Sequence, residues 1–479
     1  MKRVRDAFEL AGYTVDGVRE LLGPVAGGAL ARDEIVPALR VTDGGSALEE
    51  FVRLFWLQVP VPARGLPEEL LAAGLVERSG DECRALFHIE PAEGVAGEHL
   101  GYLVSDLKAR PGGGRVRPDH VVGGGGASGN LARIVIHRPV DDALDVGTGC
   151  GVQALHLAGR ARHVAATDIN PRALRLAAMS FALSGLDGVE LLEGSLLEPV
   201  AGRRFDLVVS NPPFVIAPEG GRFVYRESGM PGDEFCRRLV AEAPGLLKDG
   251  GHCQLLANWL HIEGVPWEER VAGWVAGTGC DAWVVQRDVQ DPAEYAELWL
   301  RDSVETGTPE YRARYDAWLD HFERQGATGV GFGWITLRRS GAERPAVRVE
   351  ELRHEVDQPV GAYVDDVLNG LVAGREFSTA CGKVGLVAAP GLVQEQVGPP
   401  GAEDPERIVL RQTSALRRAA GVGTVEAALA GVCDGTMPLD PLLDAIAQLM
   451  GLGTDEVRAH ADAVLPELIA DGFFSSPPV

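Results

Sequence analysis

At 479 residues the chain is too long for one compact core, and its 46% hydrophobic and 24% charged composition is that of an ordinary globular protein. No apolar run reaches bilayer-crossing length, and the basic N-terminus MKRVRDAFELAGYTVDGV lacks the apolar core of a signal peptide, so a cytoplasmic chain with no membrane segment is expected. The formal charge of −24 argues against long-range attraction to phosphate; only residues 101–140 run the other way, with Lys108, Arg110, Arg115, Arg117, Arg133 and Arg138 against Asp106 and Asp119. Nucleic acid, if bound, would meet that stretch; a solvated linker with scattered arginines is the competing reading.

In chain order, LEEFVRLFWLQ has apolar residues at helical spacing, and LPEELLAAGLVERSGDECRALFHIEP reads as helix, turn and strand. Residues 1–110 are therefore expected to form a mainly helical, winged-helix-like accessory module. Residues 111–130, PGGGRVRPDHVVGGGGASGN, contain eight glycines and two prolines. They suit a linker, or a loop in which Gly123–Gly126 and Ser128 close over a site.

From 141 onward, short β-rich runs alternate with helical ones. ALDVG, HVAATDI, VELLEG, FDLVVSNPPF and HCQLLAN read as strands, and VQALHLAGRA, PRALRLAAMSFALSG and FCRRLVAEAPGLLKDG as helices. WVVQRDV and GFGWITLRR complete the set around a helical insertion near 292–325. This alternation predicts an α/β domain over 111–340 with a doubly wound, mainly parallel sheet. Residues 341–479 are expected to form a C-terminal accessory module, β-containing to about 410, then helical through TVEAALAGV, PLLDAIAQLM and DEVRAHADAVLPELIADGFF, again winged-helix-like.

The seven scattered cysteines suit buried small hydrophobes in a reducing compartment rather than disulfides. His88, His99, His137, His252, His261 and His354 show no ligand spacing, so no metal site is expected.

The chemistry concentrates in two turns. Asp145-Val146-Gly147-Thr148-Gly149-Cys150-Gly151 joins a strand to a helix. Gly147 and Gly149 permit the sharp turn and close approach of a ligand, and Gly151 permits close packing. The helix N-terminus offers free N–H groups to an anion. Asp145 at the strand end can hold a cationic amine, and Asp168, followed by Ile169 and Asn170, can accept a pair of ribose hydroxyls. Ser195 and Leu196 follow the third strand. The fourth ends in Asn211-Pro212-Pro213-Phe214, whose Asn211 side-chain oxygen and Pro212 carbonyl can each accept one bond from an NH2 group, with Phe214 placed to stack on a planar amide or base.

DVGTGCG, ATDIN and FDLVVSNPPF, in this order, resemble the class I S-adenosylmethionine-dependent methyltransferases with an Asn-Pro-Pro-aromatic motif. Within that class they are similar to the HemK-like group, which includes release-factor glutamine methyltransferases, and to ribosomal RNA small-subunit methyltransferases. The resemblance covers about residues 120–260 and implies a Rossmann-like, seven-stranded sheet with S-adenosyl-L-methionine as cofactor. By matching position it implies that Asp145, Gly147, Thr148, Gly149, Cys150 and Gly151 contact the methionine part. Asp168, Ile169 and Asn170 would lie at the ribose, Ser195 and Leu196 near adenine, and Asn211 between cofactor and acceptor. The family often has Asp where Ser195 stands.

The acceptor implied is a planar sp2 NH2 nitrogen. A nucleobase amine in RNA is slightly preferred, because Phe follows Asn-Pro-Pro and because arginines populate 101–140. A protein glutamine amide, a small molecule or peptide, and a non-catalytic cofactor-binding module are the alternatives. Tyr225 and Arg226 can face the acceptor, or can pack and be solvated; Asn258 and Trp259 can wall the pocket, although a core tryptophan is the simpler reading.

Overall fold

The computed structural model describes residues 1–108, 117–218, 229–301, 307–378, 385–400 and 405–476. Arg110, Arg115, Tyr225 and Arg226, named above, and Cys381, one of the seven cysteines, lie outside these residues. The chain divides into two compact units. The first comprises Met1–Ala132, Arg138–Arg270 and Asp288–Ile335; the second comprises Arg133–His137, Val271–Arg287 and Thr336–Val479.

The first unit is built on a sheet whose strands run in the order Ala327–Arg338, Leu247–Ile262, Phe205–Ser210, Val140–Val146, Ala161–Asp168, Glu190–Glu193. From Leu247–Ile262 to Glu190–Glu193 every pairing is parallel. The strands read as near-continuous apolar runs because both faces are covered: Ala143, Leu144, Leu207, Val208 and Val209 are fully buried. The chain moves outward from Val140–Val146 through the next two strands, then returns to lay Phe205–Ser210 on the other side. That reversal opens a crevice at the carboxyl ends of the two adjacent strands, where α/β sheets bind ligands. Register puts Val146 opposite Ser210, and Ser210 Oγ donates to the Val146 carbonyl at 2.9 Å, so the glycine turn and Asn211 start at one level.

Local chemistry sets the helices. Asn170 caps Pro171–Ser184 by accepting from Arg172 N, Pro171 occupies the first turn, and left-handed Gly185 ends it. The FCRRLVAEAPGLLKDG stretch departs from the expected single helix. It is helical over Glu234–Glu242, tightens into a 3-10 turn at Ala243–Leu246 and enters a strand at Leu247, because Pro244 cannot continue the α-helix ladder.

The N-terminal residues share the core of this unit. Helices Lys2–Leu10, Val15–Leu30, Val36–Val41, Ala47–Phe51 and Glu68–Ala72 accompany a three-stranded antiparallel sheet of Val61–Pro62, Glu82–Ala85 and Val76–Ser79. Phe8, Tyr13, Phe51, Phe55 and Tyr102 form a fully buried aromatic cluster, continuous with Cys150, Leu155 and Leu176 beneath the glycine turn. A hairpin, His88–Glu93 with His99–Ser105, lies on helix Pro171–Ser184. Ser184 Oγ and Ser180 Oγ accept from Tyr102 N and Val104 N, both at 2.8 Å, in place of a further strand. The insertion forms two helices, Pro292–Leu300 and Pro309–Arg324, packed through Tyr295, Trp318 and Phe322.

In the second unit Asp281–Gln290 pairs in parallel with Val347–Glu351. Glu350 explains why a short, half-exposed run is held as a strand: it accepts from Trp283 Nε1 and from both Arg418 guanidinium nitrogens, all at 2.6 Å. Gly385–Ala388, Leu392–Val397, Arg407–Gln412 and Ala419–Val422 are strands; Thr424–Val432, Leu439–Met450 and Thr454–Ala470 are the expected helices, around a core that includes Leu443, Leu465 and Phe473. A helix at Val364–Glu376 precedes them. Among the described residues no helix is long and apolar enough to cross a membrane.

Gly151 sits at φ 94°, and a Cβ there would lie 2.7 Å from the Phe181 ring. Gly151→Ala is expected to destabilise the first unit by about 1–3 kcal/mol through left-handed strain and the clash. Thermal unfolding of the two proteins reads this directly; an unchanged Tm contradicts it.

Candidate active site

The turn after Val140–Val146 is held from inside by one carboxylate. Asp145 Oδ2 accepts from Thr148 Oγ1 at 2.6 Å and from Ala154 N at 3.1 Å, and so ties the start of the turn to the first turn of the following helix. Gly147 N and Thr148 N both donate to the Thr167 carbonyl at 2.9 Å, which fastens the loop to the neighbouring strand. Gly147 (φ 74°) and Gly149 (φ 58°) take left-handed conformations with nothing within 4 Å of where a Cβ would stand. These two glycines therefore face open space, as an approaching ligand requires.

That space is a cavity of about 650 Å³ at the crevice, which is ample for a nucleoside-sized ligand. Its walls contain Asp145, Gly147, Thr148, Gly149, Cys150, Asp168, Ile169, Asn170, Ser195, Leu196, Asn211, Pro212, Pro213 and Phe214. Every site residue expected from the sequence is thus brought together, with one exception. Gly151 is not in the wall; it packs beneath it, against Phe181.

The charged groups are arranged for a cationic, hydroxyl-bearing ligand. Asp145 is 1% exposed, and its Oδ1 is buried with no partner among the described residues. Burial pushes its carboxyl up to about 7 against the pull of Thr148 and Ala154. An ammonium beside Oδ1 would satisfy the orphaned atom and restore the charge. Asp168 Oδ2 accepts from Gly149 N at 2.9 Å and Oδ1 from Asn170 N at 2.8 Å. Each oxygen keeps a further acceptor site for a hydroxyl, and burial raises this carboxyl as well. Ile169, 57% exposed, and Leu196, held at φ 49°, are apolar residues presented to the cavity. The left-handed Leu196 backbone costs about 1–2 kcal/mol, which the loop sustains where a flat ring would lie. These features fit S-adenosylmethionine. Burial pushes the Cys150 thiol up to about 12, so Cys150 contributes packing rather than reactivity.

At the other end of the cavity, Asn211 Nδ2 donates to Ser128 Oγ at 3.1 Å. With Nδ2 engaged, Oδ1 is the acceptor this amide has left. Ser128 stands in helix Gly126–Ile134, and its carbonyl accepts from Gln153 Nε2 at 2.8 Å. The glycine run thus leads into an anchored helix, and Gly123, Gly125, Ala127 and Ser128 belong to the cavity wall. The Pro212 carbonyl already accepts from Phe214 N at 2.8 Å, so one of its two lone pairs remains for a substrate.

Several wall residues carried no sequence signal. Trp299 comes from the insertion, Met230 and Phe235 follow the fourth strand, and Pro118, His120 and Val122 precede the glycines. Tyr295, one helical turn from Trp299, is fully buried; its hydroxyl accepts from Ile216 N at 3.1 Å and Asn258 Nδ2 at 2.9 Å. Tyr295 thereby fastens the chain two residues beyond Phe214. Aromatic spacing in DPAEYAELWL was the only hint of this. Asn258 acts from behind the wall, and Trp259 is a core residue stacked on Trp267 at 5.7 Å.

Comparison with known proteins agrees with this geometry. Residues 127–263 match the methyltransferase small domain family, and residues 10–86 match a domain of unknown function, DUF7059. The chain is 36% identical over 157 residues to the release factor glutamine methyltransferase of Geobacter sulfurreducens, covering 30% of this chain and 52% of that one. It is 40% identical over 146 residues to the release factor glutamine methyltransferase of Deinococcus radiodurans, covering 28% and 51%. It is 36% identical over 115 residues to the ribosomal RNA small subunit methyltransferase C of Alcanivorax borkumensis, covering 24% and 31%. The chain thus spans about half the length, or less, of these curated relatives. Fold, cavity and likeness converge on one part of the chain: residues 127–263 match the methyltransferase small domain family and are similar to release factor glutamine and ribosomal RNA methyltransferases of the class I S-adenosylmethionine-dependent kind.

Proposed function

We propose that the enzyme methylates the carboxamide nitrogen of a glutamine side chain in a protein. The observation that carries this reading is the apolar character of much of the cavity wall. Phe214, Trp299, Phe235 and Met230 belong to it, and among the described residues no lysine or arginine lines the cavity. A nucleobase arrives tied to phosphates, which demand cations nearby. Two of the arginines that favoured RNA are engaged internally: Arg117 with Asp119 at 2.8 Å, and Arg138 with the Gly250 carbonyl at 3.1 Å and His252 Nδ1 at 3.2 Å. Relatives whose names specify a glutamine in a release factor or in ribosomal protein uL3 support the same reading. A nucleobase amine in RNA is the second reading; the Phe214 and Trp299 rings and the likeness to a ribosomal RNA enzyme favour it. Six buried free cysteines suit a reducing, cytoplasmic setting.

S-adenosylmethionine supplies a methyl group on a sulfonium, an electrophile that requires placement of the nucleophile more than a strong base. Asn211 Oδ1 and the Pro212 carbonyl each accept one N–H of the carboxamide. These bonds would aim the nitrogen at the methyl group and keep electron density on it as the N–C bond forms and the S–C bond breaks, leaving the electron pair on sulfur. Pro212 and Pro213 hold both acceptors in place before substrate arrives. The Ser128–Asn211 bond ties the Asn211 side chain to helix Gly126–Ile134. Phe214 covers the amide plane and excludes water. The proton left on nitrogen after transfer departs along one of the two accepting bonds.

Transfer of radiolabelled methyl into a lysate of a deletion strain, split by protease and nuclease, tests the acceptor. Label lost to protease supports the glutamine; label lost to RNase moves the assignment to a base. Asn211→Ala is expected to reduce transfer by at least about 100-fold while cofactor affinity stays within a few-fold of wild type. Full turnover in that variant would falsify the clamp.

A second expectation concerns pH. In the free protein the Asp145 carboxyl, raised to about 7 by burial, must ionise before it can pair with the cofactor's ammonium. Affinity for S-adenosylmethionine should therefore rise about tenfold per pH unit below that value and level off above it. Asp145→Asn should flatten the profile. The same raised carboxyl makes the free enzyme less stable as pH climbs from the ordinary carboxylate range towards 7, since the folded state there binds the extra proton. Calorimetric titration across pH checks the first, and Tm against pH the second.

A further inference from the structure

Glu90 belongs to none of the cofactor motifs, yet it is bonded to the wall of the cofactor cavity. It lies in the hairpin strand His88–Glu93, with a side chain only 12% exposed. Its Oε1 accepts from Gly124 N at 2.8 Å, and its Oε2 lies 3.3 Å from Nε2 of the fully buried His88. Gly123, on one side of that bond, and Gly125, on the other, both line the cavity.

The glycines here are required by proximity rather than by flexibility. A Cβ on Gly123 would lie 2.9 Å from Ser105 Oγ and 3.0 Å from Glu90 Oε1. One on Gly124 would lie 3.0 Å from Leu103 Cδ1 and 3.1 Å from Glu90 Oε1. Residues 118–125 form a strap pressed flat against the hairpin. A second fastening lies upstream, where Asp106 Oδ2 accepts from Val121 N at 2.9 Å and Asp106 N donates to the Val121 carbonyl at 3.0 Å. Arg172 holds the Asp106 carboxylate in turn. The hairpin does not yield, because Ser180 and Ser184 bond its other strand to the helix that starts beside Asp168. Past the strap the chain reaches Ser128, the partner of Asn211.

We propose that Glu90 is a positioning residue for the cofactor: through its bond to Gly124 the N-terminal module holds residues 118–125 as a fixed wall of the S-adenosylmethionine site. The module's place in this enzyme is then to complete the cofactor cavity, whichever acceptor is used. Without the bond the strap lifts, the cavity opens to water on that side, and the cofactor loses contacts before any acceptor binds.

The test is calorimetric titration of the full chain with S-adenosylmethionine and with S-adenosylhomocysteine, alongside thermal unfolding. Glu90→Ala is expected to fold and to bind both about tenfold more weakly. Glu90→Gln, which keeps an oxygen for Gly124, should bind within about threefold of wild type. Gly124→Pro removes the donor and also puts ring carbons against Leu103 Cδ1 and Glu90 Oε1, so its loss should be at least that of Glu90→Ala. Adding Glu90→Ala to it should weaken binding by no more than about twofold further, because the bond is already broken. Wild-type affinity in Glu90→Ala, losses that multiply in the double variant, or a Glu90→Gln as weak as the alanine would each overturn the proposal. Should Glu90→Ala not fold, Glu90→Asp, whose shorter side chain withdraws the acceptor from Gly124 without adding bulk, decides: wild-type affinity there overturns the role, and a tenfold loss with an unchanged Tm supports it.

Discussion

The Asp145 carboxylate inside the glycine turn is the constraint from which the site follows. A parallel strand must reverse into a helix within a few residues, and the turn's free N–H groups and hydroxyl need an acceptor that is not solvent. Asp145 Oδ2 supplies it by bonding Thr148 Oγ1 and Ala154 N, which leaves Oδ1 buried and unpaired. A buried carboxylate with one satisfied oxygen is expensive in the free protein. A cationic ligand relieves that cost, so the interaction that shapes the turn also selects what binds beside it. The neighbouring strand reinforces the arrangement, since Val146 and Ser210 share a register position and a hydrogen bond. The glycine turn and the Asn211 turn are therefore set at one height by sheet pairing.

Because the two ends of the reaction come from adjacent strands, the remaining elements serve to close the crevice. On one side the N-terminal hairpin, bonded to helix Pro171–Ser184 through serine hydroxyls, backs the 118–125 strap. On the other, Tyr295 in the insertion accepts from Ile216 N and Asn258 Nδ2, so the chain leaving Phe214 cannot drift from the strand ends. Both devices are main-chain N–H groups held by a largely buried side-chain acceptor. Such bonds are costly to leave unmade, which makes the walls stiff rather than merely present.

This division also explains what was legible in the sequence. Asp145 to Cys150, Asp168 to Asn170, Ser195 to Leu196 and Asn211 to Phe214 could be placed because turn chemistry is local: a glycine needed at positive φ or a proline at a strand end advertises itself over a few residues. Strand and helix order was readable for the same reason, through periods of two and 3.6. What escaped was long-range. Trp299 and Phe235 look like ordinary helix residues until the fold turns them into the cavity. Glu90 looks like any polar strand residue, and its partner lies 34 positions away. Val347–Glu351 falls in the stretch expected to contain strands, but the groups that satisfy Glu350, Trp283 and Arg418, lie 67 and 68 positions away and could not be named from it. Gly123 and Gly124 illustrate the opposite difficulty: glycine permits a flexible loop and a tightly pressed one equally, and the facing side chains decide.

The same distinction between composition and placement bears on the acceptor. Counting cations over 101–140 favours a polyanion, but a cation counts only if it is free to meet one. Arg117 is bidentate with Asp119, and Arg138 is turned onto a carbonyl and an imidazole. Among the described residues, the cavity they would serve includes the rings of Phe214, Phe235 and Trp299 and the side chains of Met230 and Val215, and no lysine or arginine. A wall of that kind recognises a neutral, planar group by shape and by its two N–H bonds. The Pro212 carbonyl sharpens the point. One lone pair is fixed by Phe214 N, so the other has a set direction, and a substrate NH2 must approach along it to reach Asn211 Oδ1 as well. A carboxamide at the end of an unbranched side chain can thread to that position without bringing further charge into an apolar wall, and that is the physical ground for preferring glutamine.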